Sequence, residues 1–224
     1  MSVDGSGIMC DVVIPCRDEA AALPAVLAGL PTGWRAIVVD NGSHDGTAEV
    51  AERLGATVVH EDRAGYGAAV HTGVEAATAD HVAVIDGDGT MLLADLVPML
   101  DMVRSGGARM AVGRRRPVER GVWPWHARLG TKLLAAVIRR RSGFGIHDLA
   151  PMRVSRRDDL LELGVKDRRF GYPLELMLRA AEAGWTVHEV DVAYGHRAPG
   201  TKSKVSGSVR GTARVIKDFA KVMR

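Results

Sequence analysis

Four short apolar runs, near residues 11–15, 35–40, 56–60 and 81–86, constrain this chain more than any other feature. They do not alternate apolar with polar, so each reads as a strand buried on both faces. Patterns of helical period separate them, near 19–30, 47–54, 68–77 and 92–104, and a fifth strand is expected at 109–113. Regular strand–helix alternation of this kind predicts an α/β fold, with a mostly parallel sheet flanked by helices.

In such sheets a ligand sits beyond the carboxyl ends of the strands. Three polar segments leave those ends: Arg17-Asp18-Glu19, the stretch Asp40 to Asp45, and Asp86-Gly87-Asp88. They are expected to converge on one crevice. The later part is less regular. It reads as a basic helix at 126–141, a turn at Gly143-Phe144-Gly145 and a strand at 149–154. Ser155 is expected to cap a helix at 156–163; a helix at 173–183 and a strand at 186–194 follow. A loop rich in Gly, Ser and Lys then spans 195–208 and leads to an amphipathic helix at 209–223.

Charge divides the chain. Residues 1–101 hold 4 Lys/Arg against 16 Asp/Glu, whereas residues 102–224 hold 26 against 11. Carboxylates suit a cation, and clustered Arg and Lys suit phosphates or an anionic surface. Aromatics are only 4% of the residues, which argues against a nucleic-acid binder that stacks bases. Residues 1–9 carry no basic or apolar run of the signal-peptide kind, and no apolar stretch approaches the ~20 residues that cross a bilayer. Two cysteines, Cys10 and Cys16, match neither a redox pair nor a zinc knuckle, so a reduced, cytoplasmic setting is expected.

Asp86-Gly87-Asp88 is the strongest local signal. Carboxylates at i and i+2 after a strand can point to one side, and glycines permit close backbone approach to a ligand. Mg²⁺ or Mn²⁺ takes one or two carboxylates and leaves its other positions to water and phosphate oxygens. The competing reading is a solvated turn. Asp40, closing its strand, can accept from a nucleobase N–H edge; Asp45 can cap the helix that follows, or the loop can be a plain β-turn. Gly65-Tyr66-Gly67 is weak evidence on its own, being neither a P-loop nor a dinucleotide fingerprint.

Taken together, Val13-Ile14-Pro15-Cys16-Arg17-Asp18-Glu19, Val38 to Thr47, Gly65-Tyr66-Gly67-Ala68-Ala69 and Asp86-Gly87-Asp88 resemble glycosyltransferase family 2. Three later segments resemble its dolichyl- and polyprenyl-phosphate mannose and glucose synthase branch. They are Asp148 to Arg153, Phe170 to Glu175, and His196-Arg197 through Lys202, Lys204 and Gly207. The resemblance implies a GT-A fold in a single domain over 1–224. Residues about 10–113 would form its donor- and metal-binding part, and 114–224 its acceptor part with the amphipathic C-terminal helix. It implies that Pro15 and Glu19 line the nucleotide pocket, that Asp40 reads the base, and that Ser43 and Gly67 contact substrate. Asp86 would lie near the ribose and diphosphate, and would join Asp88 as a ligand to Mg²⁺ or Mn²⁺. Arg115, Arg128, Arg197, Lys202 and Lys204 would meet phosphates, and Glu175 would stand near the reacting carbon. Departures from the branch are Asn41 for a second Asp, Thr90 for a longer polar ligand, and one extra residue in the late loop.

The reaction so implied is inverting transfer of a hexose from a nucleotide-diphosphate sugar, UDP-glucose or GDP-mannose, to a polyprenyl phosphate. A phosphate monoester is largely ionised at pH 7 and needs cations more than a base. The first alternative is a soluble hydroxyl acceptor, for which Glu175 is the base candidate; the structural reading of Glu175 is an Arg partner in a polar core. A nucleotidyltransferase is the alternative of another class, although the loop after the first strand lacks its Gly and Lys. The basic helical segments are expected either to pack on the enzyme body or to touch a membrane surface peripherally.

Overall fold

The computed structural model describes residues 7–123, 125–149, 151–198, 218, 219 and 222, with backbone alone at 125–127. Seven strands form one sheet: β1 (Cys10–Cys16), β2 (Trp34–Asp40), β3 (Thr57–His60), β4 (His81–Val84), β5 (Met110–Pro117), β6 (Arg153–Arg156) and β7 (Val187–Tyr194). Their order is β3-β2-β1-β4-β6-β5-β7. The pairs β1–β2, β1–β4, β2–β3 and β5–β7 are parallel, and β6 runs antiparallel to both β4 and β5.

The unbroken apolar runs are explained by helices on both faces. In β1, Val12 and Ile14 enter one core with α1 (Leu23–Ala28) and α4 (Leu96–Arg104), while Val13 enters a second with α3 (Tyr66–Ala76) and α7 (Tyr172–Glu182). The same split divides Ala36 and Val38 from Ile37 and Val39 in β2. Gly73 lets α3 lie directly on the sheet, because a Cβ there would come within 2.4 Å of Val13. Three further helices are α2 (Thr47–Arg53), α5 (Trp125–Ser142) and α6 (Arg157–Glu162).

Some local expectations are corrected. The first helix begins at Leu23, with Pro24 in its first turn, because residues 19–22 form a tighter turn in which the Glu19 carbonyl accepts from Ala22 and Leu23. Ser155 is no cap. It sits within β6, paired with Val82 and Met110, and Arg156 takes the position before α6 without a side-chain cap. The strand expected at 149–154 forms instead at Arg153–Arg156, where it can bridge β4 and β5. Most of the helix expected at 209–223 lies outside the described residues, as do Lys202 and Lys204.

Because the other six strands share one direction, the ends of β1, β2, β4, β5 and β7 meet on one edge of the sheet. The start of β6 joins them there: Arg153 lies opposite Val84 and Val112.

Candidate active site

The first two loops are laced together. Asp18, at a left-handed φ of 53°, donates its N–H to Ser43 Oγ (3.0 Å) and accepts from the His44 N–H (2.9 Å). Glu19 N–H reaches Thr47 Oγ1 at 2.9 Å, and Ala20 N–H reaches Asp45 Oδ2 at 3.0 Å. Asp45 also accepts from the Thr47 N–H at 3.1 Å, so it ties the start of α2 to the first loop from one place before the N-cap, Gly46. Ser43 is thus occupied in holding the loops in register, and its own N–H is taken by Asp40 Oδ1 at 3.1 Å. Asp40 is buried, with its second oxygen 3.4 Å from His60 Nδ1. Pro15, half-buried, lies opposite Val39 in the β1–β2 register, one place before the Cys16–Asp40 pair.

Asn41 bonds through both ends of its side-chain amide. Its amide donates to the carbonyls of Glu61 (2.7 Å) and Arg63 (3.0 Å) and accepts from the Gly65 N–H (2.9 Å). An aspartate could not make the two donations. The third loop is therefore hung from the second by the residue that departs from the family pattern.

Gly67 is a packing glycine. A Cβ there would lie 2.7 Å from Tyr172 Cβ, and its N–H is already bonded to the Arg169 carbonyl at 3.1 Å. The Gly65-Tyr66-Gly67 loop is a joint between α3 and the segment before α7. Tyr66 turns a buried hydroxyl inward, with no hydrogen-bond partner among the described residues. Burial foremost, and then the Asp86 charge, pushes its pKa up.

Asp88 is buried at the turn after β4. Its Oδ1 accepts from the Thr90 N–H (3.0 Å) and Thr90 hydroxyl (2.6 Å), and its Oδ2 meets Arg197 at 2.6 Å. Arg197 also reaches Glu19 Oε1, at 3.5 Å. Backbone bonds strap the segment after β7 onto this turn: Gly195 N–H to the Thr90 carbonyl (2.8 Å) and Ala198 N–H to the Asp88 carbonyl (3.1 Å). Burial, then the charge of Asp88, pushes the Asp86 carboxyl up to about 7, against the pull of Arg115, Arg197 and Arg153. Gly87 allows the turn to lie on β1, since a Cβ would meet Cys16 Sγ at 2.5 Å. That cysteine is buried, and its pKa is driven up by burial, so it packs and does not react.

Arg115 is fixed by a two-pronged bond to Asp148 (both 2.8 Å), and its guanidinium lies over the rings of Trp123 (4.2 Å) and Tyr194 (5.4 Å). Those two rings contact each other at 5.6 Å. Arg128 is exposed near the start of α5 and lines a cleft of about 350 Å³ with Val118 and Trp123. Glu175 is fully engaged. It accepts from the N–H groups of Lys166 (3.0 Å) and Asp167 (2.7 Å) and pairs with Arg179 at 2.6 Å. Burial pushes its pKa up, but these donors outweigh burial and leave it lowered. This favours the structural reading over the base.

Two carboxylates at one turn, one of them already facing a cation, make a hard-oxygen donor set that suits Mg²⁺ or Mn²⁺. Among the described residues no group of three or more His, Cys, Asp and Glu side chains could hold a metal, so phosphate and water would have to complete its shell.

A family model described as glycosyl transferase family 2 matches residues 11–163. The chain belongs to this family. Among the relatives of this glycosyltransferase, an uncharacterized glycosyltransferase of Mycobacterium tuberculosis is 57% identical over 97% of this chain and 99% of that one. A polyprenol monophosphomannose synthase of Mycolicibacterium smegmatis is 32% identical over 88% of this chain and 81% of its own. Among solved structures, glucosyl-3-phosphoglycerate synthase from M. tuberculosis, in complex with Mn²⁺, UDP and glucosyl-3-phosphoglycerate, has a TM-score of 0.75. It is 20% identical, with 97% of this chain and 80% of that chain covered. The likeness establishes the GT-A fold of this glycosyltransferase, and membership of the family removes the nucleotidyltransferase alternative.

The motif segment from Asp148 to Arg153 gives neither residue a role by itself. The Arg115 cradle is not legible in the sequence, because Trp123, Asp148 and Tyr194 belong to separate segments. The one local signal is the chemistry of an Arg at a strand end, which demands a carboxylate or a phosphate.

Proposed function

We propose that this enzyme transfers a hexose, with inversion, from UDP-glucose or GDP-mannose to a polyprenyl phosphate at the membrane surface. One observation carries the reading. Fixed cations, Arg115 and Arg197, stand around the Asp86–Asp88 turn, while Glu175, the base candidate, has its oxygens engaged. A hydroxyl acceptor needs a base; a phosphate monoester brings its own negative oxygen and needs cations. The 32% identity to a polyprenol monophosphomannose synthase supports the same acceptor.

In this reading Asp40, Pro15 and Glu19 position the nucleotide, and Asp86 and Asp88 would hold Mg²⁺ or Mn²⁺. The bound ion would neutralise charge on the departing diphosphate. Arg115 and Arg197 hold the acceptor phosphate, one oxygen of which attacks the anomeric carbon as the bond from that carbon to the diphosphate oxygen breaks. The nucleoside diphosphate leaves with the electron pair, and no proton has to move first.

Arg197→Ala tests the assignment. Transfer to a short-chain prenyl phosphate should fall far more than hydrolysis of the donor by water. Equal losses would instead put Arg197 on the donor diphosphate, and product with a soluble hydroxyl acceptor alone would overturn the lipid acceptor.

A further inference from the structure

Helix α5 turns an apolar stripe to solvent. Leu129 is 50% and Leu133 61% exposed, one helical turn apart, and Val118, in the connection before the helix, is 56% exposed. The opposite side, with Leu134, Ala135 and Ile138, is the one that packs into the core against α7. The 18-residue helix carries Arg128, Lys132, Arg139, Arg140 and Arg141 and not one Asp or Glu. At 100° per residue Leu129, Leu133, Ala136 and Arg140 share the outward face, with Lys132 on one flank. Arg139 is turned away, to the Ile146 carbonyl at 2.9 Å.

The charge selects the occupant. An apolar ridge on a helix that carries five cations and no carboxylate would repel a second copy of the same helix. It complements an anionic bilayer surface, where leucines enter the acyl boundary and cations meet lipid phosphates. The ridge also leads to the site. Val118 and Arg128 line the cleft that holds Trp123, Trp123 contacts Tyr194, and Tyr194 lies in the field of Arg115, Asp88 and Arg197.

We infer that α5 is the face by which this enzyme lies on an anionic membrane, with Leu129, Leu133 and Val118 inserted and Lys132 and Arg140 over the headgroups. The inference rests on the polyprenyl-phosphate reading for its purpose: the same face would bring the headgroup end of a membrane-embedded acceptor to the Trp123 cleft.

The full chain should co-sediment with phosphatidylcholine vesicles containing about one third phosphatidylglycerol, much less with phosphatidylcholine alone, and less as salt rises. Leu129→Ser with Leu133→Ser, and separately Lys132→Gln with Arg140→Gln, should each lower partitioning about tenfold or more. Both double variants should keep the wild-type melting temperature and rate of donor hydrolysis by water. The inference is overturned if the wild type stays in solution with the anionic vesicles, or if the leucine variant sediments like the wild type. It also fails if sedimentation velocity shows a wild-type dimer that the leucine variant abolishes, because the face then covers a second copy. Vesicle binding that depends on α5 in an enzyme inactive on prenyl phosphates would uphold the docking face and sink the acceptor reading. Prenyl transfer in detergent without such binding would do the reverse.

Discussion

The guanidinium of Arg197 stands 2.6 Å from Asp88 Oδ2 and, through its other terminal nitrogen, 3.5 Å from Glu19 Oε1. A residue from beyond the last strand thus supplies positive charge to carboxylates from the first loop and from the turn after β4. In the proposed reading Arg197 would exchange the Asp88 carboxylate for a phosphate once a metal ion faced that carboxylate.

Asp88→Asn should abolish metal-dependent turnover and leave the fold intact, because the amide still accepts from Thr90 but no longer offers an anionic oxygen. Donor consumption at matched Mn²⁺, together with a melting curve, checks this. Activity near that of the wild type would remove Asp88 from the site.

Asp40→Ala should weaken nucleoside diphosphate binding by about 1–3 kcal/mol, the cost of leaving a buried donor of the base unpaired. Titration calorimetry measures it directly. The same carboxylate also accepts from the Ser43 N–H; a companion Ser43→Ala variant keeps that N–H but removes the hydroxyl that accepts from Asp18, and so measures the effect of loop order without touching Asp40. If Asp40→Ala binds as tightly as the wild type, the base-reading role is wrong.

Asn41→Asp restores the commoner family residue and should destabilise this chain by about 1–3 kcal/mol. The Glu61 and Arg63 carbonyls would lose their donors and face a negative charge. A urea midpoint lowered at constant slope is the expected result; an unchanged midpoint would show that the amide donations carry no stability.

Glu175→Gln should cost stability at neutral pH while sparing most of the turnover. The sign follows from the lowered pKa: the carboxylate is favoured in the folded state, so its contribution is full above the unfolded value of about 4.3 and is lost as pH falls through the folded value. The variant should therefore show a flatter loss of melting temperature across the acid range than the wild type. A collapse of turnover at neutral pH with unchanged stability would reinstate Glu175 as the base.

The sequence by itself determined the sheet and the crevice. Unbroken apolar runs such as those of β1 and β2 can be satisfied only by cover on both faces, and strand–helix alternation then sends Asp40 and Asp86-Gly87-Asp88 to one edge. Those are local properties, written in consecutive residues. What each polar side chain does there was decided by contacts across long separations. Ser43 is spent on Asp18, Gly67 is wedged against Tyr172, Glu175 is held by the Lys166 and Asp167 amides and Arg179, and Asn41 suspends the third loop. Arg115 shows the limit most plainly. Its charge and its place at a strand end were legible, but the cradle of Asp148, Trp123 and Tyr194 gathers three segments that adjoin only when β5 and β7 pair. Spacing along the chain carries backbone periodicity, whereas a hydrogen bond or a ring contact depends on distance in space, and only the assembled sheet sets that distance.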